Sequence, residues 1–79
     1  MRIWNEDSLG KITRIEVILY EANEFELHVG TESKPTNNKL TATIEGAVYT
    51  FEVDGNHGFF ELHNLAGAIY IKSIIVYYE

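Results

Sequence analysis

Ala68-Ile69-Tyr70-Ile71-Lys72-Ser73-Ile74-Ile75-Val76-Tyr77-Tyr78-Glu79 is the stretch that decides the fold class. Its apolar positions alternate at Ile69 and Ile71, then change parity to Ile74, Val76 and Tyr78. Side chains on a strand repeat every second residue, so a change of parity inside one apolar run marks a bulge. The phase slips at Lys72-Ser73, and the bulge turns both Ile71 and Ile74 toward the core although they are three apart. A segment this rich in β-branched and aromatic residues must be covered on at least one face. It is therefore read as the central strand of an all-β domain.

Working back from this strand, 64–67 reads as a short turn and Phe59 to Leu65 as another strand. Asp54-Gly55-Asn56-His57-Gly58 puts two glycines and two Asx residues into five positions, the composition of a tight turn. Before it, Ala47, Tyr49, Phe51 and Val53 alternate with Val48, Thr50 and Glu52, and Leu40, Ala42 and Ile44 alternate with Thr41 and Thr43. Glu45-Gly46 joins these two runs as a hairpin. Residues 31–38 are polar, contain Pro35 and the Asn37-Asn38 pair, and form a loop. Phe25, Leu27 and Val29 against Glu26 and His28 give a strand ended by Gly30, and Ile12, Ile15, Val17 and Leu19 against Arg14, Glu16, Ile18 and Tyr20 give the first long one. A further short edge strand at Arg2 to Trp4 is left open. No window shows helical periodicity, so about six strands separated by turns predict an antiparallel sandwich or small barrel over residues 1–79.

A chain of 79 residues makes one domain at most, and a domain this small buries only about 60% of the surface its unfolded chain exposes. The net charge of −6 repels phosphate backbones and anionic surfaces, which argues against nucleic-acid binding. No apolar run reaches the ~18 residues that a membrane helix needs, so membrane insertion is not expected. The absence of cysteine removes disulfides, a thiolate nucleophile and sulfur-ligated metal. Residues 1–7 lack the apolar centre of a signal peptide, so for an exported domain the signal is expected on a longer parent chain.

Four aromatic residues, Trp4, Tyr20, Tyr70 and Tyr77, fall off the predicted inner face. Flat aromatic surfaces on a sheet stack on the apolar faces of sugar rings, which makes these four the candidate ligand contacts; packing at a sheet edge is their structural alternative. Asp54 and Asn56, with carbonyls of the 54–58 turn, offer oxygen ligands to a hard cation, although one carboxylate is too few for tight binding and a plain Asp-Gly turn is the simpler reading. His28 beside Glu26 and His63 beside Glu61 would form a His/Glu cluster only if their strands are neighbours; otherwise they are solvated. His57 is read as exposed. No Gly-x-Ser-x-Gly elbow, phosphate-binding glycine loop or His-Glu-x-x-His pair is present, and without a nucleophile, base and orienter set the expectation is a protein that is not an enzyme and takes no cofactor.

Three segments together carry a resemblance: Phe25 to Gly30 (FELHVG), Tyr49 to Phe51 (YTF), and Phe59 to Asn64 (FFELHN) leading through Ala68 to Ile74 into Val76 to Tyr78. Their order resembles the end of a galactose-binding-like or jelly-roll module appended to secreted bacterial nucleases, glycosidases and surface proteins. The likeness covers about the last two-thirds of the chain. Most matching positions are apolar strand positions, and only Gly30, Asn64 and Lys72-Ser73 go further. The chain is shorter than a full module, and none of the family's ligand-binding motifs matches residue by residue. The resemblance implies a jelly-roll-like β-sandwich in an exported setting, at the cell surface or outside the cell, and says little about a ligand. With the aromatic-rich all-β pattern and the absence of catalytic motifs it leads to the expectation of a non-catalytic accessory module of an exported bacterial protein, with a glycan or cell-surface polymer as the ligand class. Two alternatives stand beside it: a structural domain that packs on a partner domain or self-associates through its open edges and the apolar Ile18, Ile75 and Tyr77, and a cytoplasmic acidic inhibitor that mimics nucleic acid.

Overall fold

The computed structural model describes residues 2–65 and 67–79. Seven strands run in the order β1 (Arg2–Trp4), β2 (Ile12–Leu19), β3 (Phe25–Gly30), β4 (Thr43–Glu45), β5 (Val48–Glu52), β6 (Phe59–Asn64) and β7 (Ile71–Tyr78), and there is no helix among the described residues. They form two antiparallel sheets, β1-β6-β3 and β4-β5-β2-β7. The all-β sandwich expected from the alternation is the fold observed, with Arg2 to Trp4 added as a seventh strand at the edge of the smaller sheet.

The core lies between the sheets. Leu27, Val29, Phe60 and Leu62 come from the smaller sheet, and Ile12, Ile15, Val17, Leu19, Tyr49 and Phe51 from the larger, all buried. Each fully buried aliphatic side chain here stabilises the fold by roughly 1.5–3 kcal/mol relative to exposure. The core therefore depends on the alternation in β2, β3, β5 and β6. Between β4 and β5 the chain reverses in two residues, with Glu45 paired to Val48. Gly46 takes a φ of 64° there, the left-handed region that a tight hairpin needs and that glycine enters without steric cost.

The bulge near the carboxyl end is where the parity change put it. Ile18 pairs with Ser73 and Leu19 with Ile71, leaving Lys72 as the extra residue. Ile71, Ile74 and Val76 all pack against the core. A second slip lies at the other end of the same pair, where Ile12 faces Tyr78 and Arg14 faces Tyr77, so that Thr13 is extra on β2. One extra residue on each strand lets both keep their apolar faces inward along the ladder.

Three expectations are corrected. The last strand is not central: β7 is an edge, and the interior strands of its sheet are β5 and β2, with β2 hydrogen-bonded to β5 on one side and to β7 on the other. Tyr78 has the inward parity but is 58% exposed, because it lies at the strand end. The third expected strand shrinks to Thr43–Glu45; Leu40 and Ala42 pack against the core from outside it, and Ile44 is 60% exposed.

Candidate functional site

A three-stranded sheet facing a four-stranded one cannot cover the whole inner face of the larger. β3 and β4 are the edges on the uncovered flank, and between them runs an open groove of about 650 Å³. That volume lies within the roughly 300–1,000 Å³ of ordinary small-ligand sites. Its wall is apolar: Phe25, Leu40, Ala42, Ile44, Tyr49 and Phe51.

The floor is an aromatic cluster. The Phe25 ring meets Tyr49 edge-on with centroids 4.8 Å apart, and Phe51 in the same manner at 5.9 Å. Such edge-to-face pairs hold each ring's orientation beyond what burial alone provides. Tyr49 is further fixed through its hydroxyl, which donates to the Asn23 carbonyl at 2.9 Å and accepts from the Asn23 N–H at 3.0 Å. At the mouth, Ile44 and Leu65 are exposed. Polar groups stand around them: Asn23, Glu24, Thr41, and Glu26 paired with Lys39 at 3.5 Å.

The rim is positioned by the return of the 31–38 loop. After it the chain runs back beside β3, with Val29 N–H donating to the Asn38 carbonyl and Leu40 N–H to the Leu27 carbonyl at 2.8 Å. This short antiparallel run, including the His28–Lys39 bridge, delivers Lys39 and Leu40 to the groove. The alternation assigns the apolar wall residues Phe25, Leu40, Ala42, Ile44, Tyr49 and Phe51 to the core and so conceals the groove; a core position beyond the edge of the facing sheet has the same local sequence as one beneath it.

The four aromatic candidates lie in three separate places. Trp4 is half-buried on the outer face of the smaller sheet, its Nε1 donating to Glu6 at 3.2 Å and the Lys34 ammonium 4.5 Å above its ring. Tyr20 and Tyr70 are exposed together at one end of β2 and β7, joined by a bond from Tyr20 N–H to the Tyr70 carbonyl. Tyr77 lies on the outer face of the larger sheet and donates its hydroxyl proton to Glu16 at 2.9 Å, with the Arg14 guanidinium 5.8 Å from its ring. That hydrogen bond, then the carboxylate's charge, raises the Tyr77 phenol above the usual tyrosine value, while Arg14 pulls the other way.

Asp54 and Asn56 are exposed in their turn, where Gly55 has a φ of 86°. The strands bearing the histidines are neighbours, and His28 faces Glu61 while Glu26 faces His63. Among the described residues, however, no group of three or more His, Asp or Glu side chains is placed to hold a metal ion. Two of these groups are less solvated than expected. Glu61 is only 2% exposed, lying in one cross-strand row between Trp4 and His28, with Arg2 Nε at 3.6 Å. His57 is half-buried rather than exposed. Among the described residues no helix is long and apolar enough to cross a membrane. No protein family, curated protein or solved structure matches the chain.

Proposed function

We propose that this chain is a non-catalytic binding module of an exported bacterial protein and that it takes a glycan or cell-surface polymer in the groove between β3 and β4. The observation that carries the reading is the open groove itself, with aromatic and aliphatic walls and a polar rim. A sugar ring is apolar on its faces and hydroxylated around its edge. An apolar wall receives the face, and Asn23, Glu24, Glu26, Lys39 and Thr41 offer donors and acceptors to the hydroxyls. The exported setting is supported by the jelly-roll resemblance of the three strand segments.

The test is retention on a panel of immobilised polysaccharides, with Ile44→Asp and Leu65→Asp as site variants. Both side chains are exposed, so a charge there leaves the core intact. The intact chain is expected to be retained by at least one polysaccharide, and each variant to bind at least about tenfold more weakly, since a charge replaces an apolar contact. Trp4→Ala and Tyr20→Ala, both outside the groove, are expected to bind normally. No retention on any polysaccharide, or loss with Trp4→Ala but not with Ile44→Asp, contradicts the proposal.

A further inference from the structure

Among the described residues the sandwich has four edge strands, β1, β3, β4 and β7, and three of them are protected. β1 and β4 are three residues long. β3 is covered by the chain's own return through Asn38 and Leu40. β7 runs for eight residues, and among the described residues no strand is hydrogen-bonded to its far side. Natural edges are guarded by shortness, cover, proline, lysine or a bulge. On β7 the guards, Lys72 and the bulge, lie together near one end, and residues 73–78 (SIIVYY) contain neither charge nor proline.

Backbone alternation shows what this edge offers. Glu79 exchanges both of its hydrogen bonds with Lys11, so the odd-numbered residues from 73 onward turn their N–H and C=O toward β2. Ile74, Val76 and Tyr78 therefore turn theirs away, into the open. Exposed apolar side chains accompany them: Ile75 is 39% exposed, Tyr77 43% and Tyr78 58%.

We propose that β7 is a dimer interface on which a second copy lays its own β7 antiparallel, joining the two four-stranded sheets edge to edge around a two-fold axis. The self-complementarity of the strand identifies the occupant. Lys72 stands at one end and Glu79 just past the other, so antiparallel pairing brings each ammonium to the carboxylate end of its partner, whereas parallel pairing brings like charges together. A register centred on Val76 sets Ile75 opposite Tyr77 of the partner subunit and Ile74 opposite Tyr78 of the partner subunit. Each exposed apolar side chain then gains an apolar neighbour. The interface lies on the flank opposite β4, away from the groove, so ligand binding and dimerisation are separate properties.

The test is sedimentation equilibrium across a wide concentration range. The mass is expected to rise from the 9.0 kDa of one chain toward twice that value. Ile75→Lys is expected to weaken association at least tenfold; within one copy position 75 faces Glu16, so the lysine has a counter-charge and the monomer stays folded. Ile44→Lys, on the opposite edge, is expected to dimerise normally. N-methylation of Val76 in a synthetic chain removes one outward N–H while keeping every side chain, and it is expected to abolish dimerisation. A constant monomer mass, a dimer that survives N-methylation of Val76, or a dimer lost with Ile44→Lys and kept with Ile75→Lys overturns the proposal.

Discussion

β3 and β7 are both edge strands, six and eight residues long, and the chain completes one of them while leaving the other bare. The difference does not lie in their inner faces, since Leu27 and Val29 on β3 and Ile71, Ile74 and Val76 on β7 all pack on the core. It lies in whether the chain turns back along the strand. After β3 a polar loop brings Asn38 and Leu40 back along its edge. That return bonds the Leu27 carbonyl and the Val29 N–H and carbonyl, and it also builds the rim of the groove. Edge protection and site construction on this flank are one structural event; among the described residues no segment turns back along β7.

The largest effect is expected from truncating the inner face of the covered edge. Leu27 is fully buried, and Leu27→Ala is expected to cost about 2–5 kcal/mol in urea unfolding, against about 1 kcal/mol for Ile75→Ala measured at concentrations that keep the chain monomeric. Equal losses at the two positions would erase the distinction between the edges. Leu40→Pro comes next. It removes the N–H that bonds the Leu27 carbonyl and is expected to cost about 1–3 kcal/mol, the penalty of an acceptor left unsatisfied. It is also expected to disturb the groove, so polysaccharide retention should fall with it while dimerisation persists. If retention survives, the return segment is a cover only.

The smallest effect concerns the outer face beside β7. The Tyr77 phenol is raised by its hydrogen bond to Glu16 and by that carboxylate's charge, so the folded chain holds this proton more tightly than the unfolded chain does. The resulting stability is fully present below the unfolded tyrosine pKa and is lost as the pH rises through the folded one. Tyrosinate absorbance is expected to lose a late-titrating component in Tyr77→Phe. A late component that persists undiminished in Tyr77→Phe would show that the bond to Glu16 does not hold in solution.

Much of the fold is legible because burial here is local and periodic. Ile71 and Ile74 mark the bulge at Lys72, and the same three-residue spacing between Ile12 and Ile15 carries the matching slip at Thr13, which the alternation of β2 does not single out on its own. The rank of β7 is not legible. Both β2 and β7 are rich in isoleucine, and only pairing between distant segments makes β2 the central one. The groove is hidden for a related reason: Phe25, Leu40, Ile44 and Tyr49 are brought together by the mismatch in sheet width rather than by any local pattern. Glu61 reads as a solvent-facing strand residue, yet cross-strand neighbours on both sides bury it.

The contrast between the two edges is tested most directly by hydrogen exchange at two backbone amides, Val29 and Val76, monitored as the protein concentration is raised. Val29 donates to the Asn38 carbonyl within its own chain and is expected to remain protected at every concentration. Val76 points outward from β7 and is expected to exchange freely in dilute solution, then to gain about tenfold protection or more as copies pair. A Val76 amide that stays unprotected at the highest concentration, or a Val29 amide that exchanges as freely as Val76 at the lowest, contradicts this picture of one finished edge and one open edge.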